Sequence, residues 1–144
     1  MDQLIKATAA DGQLRVFAAV TTDVVAEAMQ RHDCWPVAAA ALGRTMTGAL
    51  LLAANLKNKE SVTITFKGDG PLGTVTADAT AEGSVRGCVD HPHVHLPLNA
   101  YGKIDVGGGI GQGILSVTRF TGLKEPVTGS VDITNGEIAE DLIN

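Results

Sequence analysis

From Ser61 to Lys67 the chain alternates: Val62, Ile64 and Phe66 are apolar, while Thr63, Thr65 and Lys67 are polar. A period of two predicts a strand with one buried face. Gly73–Thr80 repeats the pattern, with Val75, Ala77 and Ala79 opposite Thr74, Thr76 and Asp78. Ser84–Val89 follows after Ala81-Glu82-Gly83, so the three runs predict an antiparallel meander. Upstream, Gln3–Ala9 and Gln13–Val20 flank Asp11-Gly12, which predicts a hairpin. Downstream, Ile114–Phe120 and Val127–Thr134 predict another strand pair, joined by a turn at Gly122–Pro126.

Helical spacing occupies the gap between hairpin and meander. Thr21-Thr22-Asp23 offers side-chain oxygens to the unpaired amides of a helix over Val24–His32. Val24, Val25, Ala28 and Met29 fall on one face of it. Pro36 suits the first turn of a second helix, where its missing N–H is no loss. That helix is expected to reach about Lys57, with Val37, Ala41, Met46, Leu50 and Leu51 facing the core. Lys57 and Lys59 then lie at the helix end that favours cations. Pro92 and Pro97 make His91–Asn99 a loop or edge segment. Lys103–Gln112 reads as a glycine-rich connector, and Gly136–Ile143 as a final helical pattern. The fold class expected is α+β, a single domain of largely antiparallel sheet with packed helices.

Composition narrows the classes. The chain has 144 residues, enough for one sizeable core, and only 3% aromatic residues, so that core is aliphatic. A net charge of −5 argues against a duplex-binding surface, and one Trp, one Tyr and three Phe give little to stack on single-stranded bases. No nucleic-acid partner is expected. Pro36–Asn55 is long and apolar enough to suggest a membrane span, but Arg44 near its middle costs about 2.5–3.5 kcal/mol in a bilayer, against a mostly Ala payload. A buried helix and no membrane partner are expected instead. Met1–Lys6 starts no leader-like apolar run, and the expected location is cytoplasmic. Cys34 and Cys88 form no C-x-x-C pair and no zinc spacing; they read as small buried hydrophobes.

Four features invite chemistry. Gly68-Asp69-Gly70-Pro71-Leu72-Gly73 fits G-x-G-x-x-G, with Asp90 about 20 residues on. Dinucleotide binding needs a helix after those glycines, whereas Thr74–Asp78 alternates like a strand. A turn between strands is the expectation. Val106–Gly113 resembles a phosphate loop but lacks the Gly-Lys-Ser/Thr ending. His91, His93 and His95 project from one side of an extended segment, with Asp90 as a further oxygen. Pro92 disturbs that geometry and no distant fourth ligand stands out, so no resident metal is expected. Cys34 lies near His32 and Asp33, and Cys88 near His91, but no G-x-S-x-G elbow and no arguable carboxylate pair exists. The chain is therefore expected to be no enzyme, with no catalytic, cofactor-binding or metal residues of its own.

A resemblance goes further. Ala41-Leu42-Gly43-Arg44-Thr45-Met46-Thr47, Gly68-Asp69-Gly70-Pro71-Leu72-Gly73 and Gly83-Ser84-Val85-Arg86-Gly87-Cys88-Val89 resemble stretches of the redox-regulated 33-kilodalton heat-shock chaperone family. Cys88 stands where that family usually has an aromatic. Leu115-Ser116-Val117-Thr118-Arg119 and Gly136-Glu137-Ile138-Ala139-Glu140-Asp141-Leu142 match in the same order, as do Lys6-Ala7, Arg15 and Thr21-Thr22-Asp23.

The resemblance implies an ATP-independent holdase that binds unfolding proteins under oxidative and heat stress, usually as a homodimer. It also implies a downstream linker and a zinc domain whose four cysteines form disulfides as the switch. Residues 1–144 are then expected to be the N-terminal substrate-binding core in truncated form, ending before linker and switch. Cys34 and Cys88 do not match switch positions, so zinc belongs to the full-length family. Unfolded or misfolded clients are the expected partners, captured on the unburied face of the meander and the long helix. A passive oligomerisation module, or a nucleotide or small-molecule binder using the glycine turns, is the alternative.

Overall fold

The computed structural model of the protein describes residues 1–57, 59–122 and 125–144. The N-terminal hairpin pairs β1 (Gln3–Ala9) with β2 (Leu14–Val20) and forms a sheet of its own. Two helices follow, α1 (Thr22–His32) and α2 (Pro36–Ala53). Next come β3 (Ser61–Gly68), β4 (Thr74–Thr80), β5 (Val85–Val89), the one-turn helix α3 (Val106–Ile110), β6 (Gly113–Phe120), β7 (Val127–Asp132) and α4 (Ala139–Ile143). The second sheet has the order β5-β4-β3-β6-β7, every pair antiparallel. The mixed α+β class follows the alternation in the sequence.

The core lies between α2 and the inner face of β3, β4 and β5. Val62, Ile64 and Phe66 on β3, and Val75, Ala77 and Ala79 on β4, are fully covered. The helix meets them with Ala38, Ala41, Leu42, Met46, Ala49 and Ala53. Small residues let α2 lie close to the sheet. Gly87 on β5 completes the fit: a Cβ there would sit 2.8 Å from Leu42 and 3.0 Å from Met46. Fully burying one side chain of the size of Phe66 stabilises the fold by about 1.5–3 kcal/mol. Alternation located this face correctly; Leu51 alone of the five core positions expected on α2 is only half-buried. Helix α2 is long and apolar enough to span a membrane, yet most of its surface is spent on this core.

Several boundaries differ from the sequence expectation. Helix α2 stops at Ala53, because the Leu56 N–H turns back to the Ala53 carbonyl in a tighter turn and the Leu56 side chain packs on the core. Lys57 and Lys59 therefore lie beyond the helix. At the start of α1 the Thr21 side chain does not cap. Its hydroxyl is shared with Thr47 at 2.8 Å, and the Asp2 carboxylate accepts the amides of Asp23 and Val24 at 3.0 and 2.8 Å. An acidic group near a helix N-terminus is favourable wherever along the chain it originates. Strand β7 ends at Asp132, two residues early. Residues 123 and 124 of the expected Gly122–Pro126 turn lie outside the described residues.

Lys103–Gln112 is not a plain connector. Asp105 Oδ1 accepts the Gly108 amide at 2.9 Å and caps α3, whose Val106 and Ile110 are fully buried. Their i, i+4 spacing puts both on one side of the single turn. Helix α4 begins later than expected, at Ala139, because Ile138 takes φ 79° and ψ −61°. The Ala139 amide bonds the Glu137 carbonyl across it at 3.0 Å, forming a γ-turn that is strained for a β-branched residue. The buried Asp141 carboxylate holds this turn, accepting the amides of Thr134 at 2.6 Å, Asn135 at 3.1 Å and Ile138 at 3.4 Å. Arg44 adds an ion pair to Glu137 at 2.9 Å.

Candidate functional site

The two glycine motifs bind each other. Gly68–Gly73 turns from β3 into β4, so no helix follows it, and a pyrophosphate would meet no dipole there. Instead the Gly70 and Leu72 amides donate to the carbonyls of Ile110 and Gly109, each at 3.0 Å. Asp69 Oδ1 accepts the Gln112 amide at 2.8 Å. A Cβ on Gly70 would collide with the Gly109 carbonyl. The glycines are there for close backbone approach. Asp90 is likewise committed: its Oδ2 accepts the Thr74 amide at 2.9 Å.

The structure does not gather the three histidines. His91, His93 and His95 are all exposed. His93 Nε2 lies 2.9 Å from Asp33 Oδ2, and its ring stacks on Trp35 at a centroid distance of 5.2 Å. Among the described residues no group of three or more His, Cys, Asp or Glu is placed to share a metal ion. The cysteines are not both buried as expected. Cys88 is exposed on the outer face of β5, and Cys34 is half-covered at the α1–α2 junction. Burial, and then the neighbouring Asp33 carboxylate, push the Cys34 thiol pKa up. It is the opposite of an activated nucleophile.

Apolar surface, not reactive groups, is what remains. The unburied face of the meander does not supply it. That face carries Thr63, Thr65, Thr76, Asp78 and Arg86, with Thr63 bonded to Asp78 at 3.0 Å. The sequence expectation for this face is corrected: alternation that buries valines on one side puts hydroxyls on the other. Helix α2 does contribute, through its C-terminal half. Phe17, Leu51, Leu52, Val117, Val127 and Leu142 line a groove of about 600 Å³ between α2, the hairpin and the β6–β7 end. It continues past Leu52, 40% exposed, to Ile143, 83% exposed, at α4. The groove stays open because α2 covers β3–β5 and not β7. A Cβ on Gly129 of β7 would meet nothing within 4 Å.

The hairpin adds a second open face. Its register puts Ile5, Ala7, Ala9, Leu14, Val16 and Val20 on one side, turned outward and exposed, while Lys6, Phe17 and Arg15 share the other. Sequence reading found the hairpin but had no signal for which side meets the body. The charge of the groove was also missed. Arg119 lines it, Arg15 and Lys6 line the adjoining hollow that shares Phe17 and Asn55, and among the described residues no carboxylate lines either, in a chain of net charge −5. Those cations come from three strands and adjoin only in the fold.

Comparison with known proteins bears on the fold and the family. The family model described as Hsp33 protein matches residues 2–144. The 33 kDa chaperonin of Desulforamulus reducens is 54% identical over 141 residues, covering 98% of this chain and 48% of that protein. The 33 kDa chaperonin of Bacillus licheniformis is 51% identical over 143 residues, covering 99% and 50%. The crystal structure of the 33 kDa chaperonin from Thermotoga maritima superposes with a TM-score of 0.92 at 44% identity, covering 95% of this chain and 47% of that one. The chain thus spans about half the length of the relatives it matches. A match over almost every residue, with the same fold and no enzymatic relatives among those named, establishes that the chain belongs to the Hsp33 family of chaperones.

Proposed function

We propose that this chain is the client-holding core of an ATP-independent holdase, working in the cytoplasm on unfolding proteins under oxidative and heat stress. The observation that carries the reading is the open apolar groove along Leu51, Leu52, Val127 and Leu142. Contiguous exposed apolar surface marks an interaction site. Burial of client side chains there contributes about 25 cal/mol per Å² and needs no nucleotide. The outward apolar face of the hairpin favours self-association, and we read the working form as a homodimer. Zinc binding, disulfide formation and the redox switch are assigned to the part of the longer relatives that this chain does not span. No nucleic acid or membrane partner enters the reading.

The test is suppression of aggregation of a chemically unfolded client, without nucleotide. The 144-residue chain at stoichiometric amounts is expected to suppress light scattering, and Leu52→Asp to weaken suppression several-fold while its unfolding midpoint stays unchanged. A folded chain that leaves aggregation untouched would overturn the reading.

A further inference from the structure

Strand β7 ends its sheet, so its outer edge has no partner strand among the described residues. Ile133 donates its N–H to Gly113 on the β6 side. Stepping back by twos in the same register, Val131, Gly129 and Val127 also bond toward β6. The N–H and C=O groups of Thr128, Ser130 and Asp132 therefore point to the open edge. Native edges are usually blunted by Lys, Pro, bulges or a covering element. Here the strand reads Val-Thr-Gly-Ser-Val-Asp, and all six residues are exposed.

The two sides of that edge differ. Val127, Gly129 and Val131 continue the inner face, beside the groove. Thr128 and Ser130 continue the outer face, where they share hydrogen bonds with Thr118 and Ser116 at 2.9 and 3.0 Å. A strand added here would lay every second side chain over the groove and the others beside hydroxyls. At about 3.3 Å per residue, the strand gives room for a segment of roughly six residues. Charge sets one end. Arg119 pairs across the ladder with Val127, lines the groove and makes no ion pair among the described residues. Arg15 and Lys6 stand nearby.

We infer that the β7 edge captures an extended polypeptide segment by strand addition. Its apolar residues alternate with polar ones, and an acidic residue at one end meets Arg119. The inference rests on the client-holding reading and specifies the form of client that the groove takes.

The test is fluorescence anisotropy with short labelled peptides and the 144-residue chain. The reference probe alternates Val or Ile with Thr or Ser and ends in Glu. Expected is binding at least tenfold tighter than for a scramble of the same composition, and severalfold tighter than for a Glu→Lys probe, the latter gap shrinking with salt. Backbone N-methylation at alternate residues is expected to abolish binding in one phase and spare it in the other. Ser130→Pro removes an edge donor without touching the β6 ladder and is expected to weaken binding at least tenfold, with Ser130→Ala unchanged. The N-methyl series carries the test if the proline variant does not fold. Equal binding of alternating and scrambled probes, or indifference to methylation in both phases, would overturn strand addition while leaving aggregation suppression intact. Loss of suppression as well would sink the broader reading. A chain dimer that dissociates on Ser130→Pro and on nothing else would show the edge to be taken by a second copy, and would also overturn the inference.

Discussion

At one end of the five-stranded sheet, Val75, Ala77 and Ala79 lie beneath α2 with no accessible surface; at the other, Val127 and Val131 carry the same alternation into solvent. Both ends are antiparallel and both put aliphatic side chains on the same face. They differ in what lies above them. Helix α2 is 18 residues long and crosses β3, β4 and β5, leaving β7 and part of β6 beyond its reach. A period of two in the sequence states that a strand has two chemically distinct faces. It does not state that anything covers the apolar one. In this molecule the covered end makes the fold, and the uncovered end makes the candidate site.

Paired truncations give the sharpest break in this comparison. Phe66→Ala, at the covered end, is expected to lower the free energy of unfolding by about 3–5 kcal/mol, the range for removing a fully buried ring. Val131→Ala, at the open end, is expected to change it by less than about 0.5 kcal/mol, as for surface positions. Urea denaturation followed by circular dichroism measures both. A loss near 2 kcal/mol at Val131 would mean that the β7 face is covered after all.

The next effect tests the wall of the groove at α4. Asp141 accepts three backbone amides from a buried position, and its removal leaves donors without partners. Asp141→Ala is expected to cost about 2–3 kcal/mol, with Asp141→Asn losing less because one acceptor oxygen stays. Hydrogen exchange at Thr134, Asn135 and Ile138 is expected to rise before exchange in β3 or β4. Uniform protection across both regions would show that α4 is not a separately held element.

These residues also show where sequence reading stops. Strands β3 and β4 were legible because Val62–Phe66 and Val75–Ala79 alternate without interruption. The hairpin was legible from Asp11-Gly12, and α2 from Pro36 and its Ala-rich face. The pairing of β6 with β3, which sets strand order, has no local signal, since any antiparallel partner satisfies the same alternation. Asp141 carries no local signal for its task, which is to hold a turn whose strain sits at Ile138. The two glycine runs were read separately as phosphate-loop look-alikes. Only the fold brings Gly70 and Gly109 together, and only then does the reason for so many glycines become visible. The groove was inaccessible for the same reason: Phe17, Leu52, Val117 and Leu142 come from four elements, and no window of sequence contains them.

A glycine pair sharpens the comparison at smaller amplitude. A Cβ on Gly109 would lie 2.7 Å from Val37 and 2.9 Å from Leu72, whereas one on Gly129 meets open space. Gly109→Ala is therefore expected to cost about 1–3 kcal/mol by overpacking. Gly129→Ala is expected to be neutral or slightly stabilising, because alanine in an open strand position lowers the entropy of the unfolded chain. Thermal denaturation of the two variants side by side decides it. Equal losses would show that the β7 end is packed as tightly as the α2–α3 junction.

The smallest effect reads cover from chemistry, at two thiols. Cys34 packs against the core at the α1–α2 junction, while Cys88 stands on the outer face of β5 in solvent. Only the thiolate attacks an aromatic disulfide reagent. Burial first, and the adjacent Asp33 carboxylate second, disfavour the Cys34 thiolate and raise its pKa. At mildly alkaline pH, Cys88 is thus expected to be labelled well before Cys34, measured separately in Cys34→Ser and Cys88→Ser chains. The Cys34 rate is expected to climb with pH to a midpoint above the ordinary thiol range. Asp33→Asn removes the smaller contribution and is expected to shift that midpoint down only part of the way, because burial remains. The same variant breaks the contact with His93, so retained Trp35 fluorescence serves as the check that the junction has not opened. Labelling of Cys34 as fast as Cys88, with an ordinary midpoint, would place this junction with the open end of the molecule.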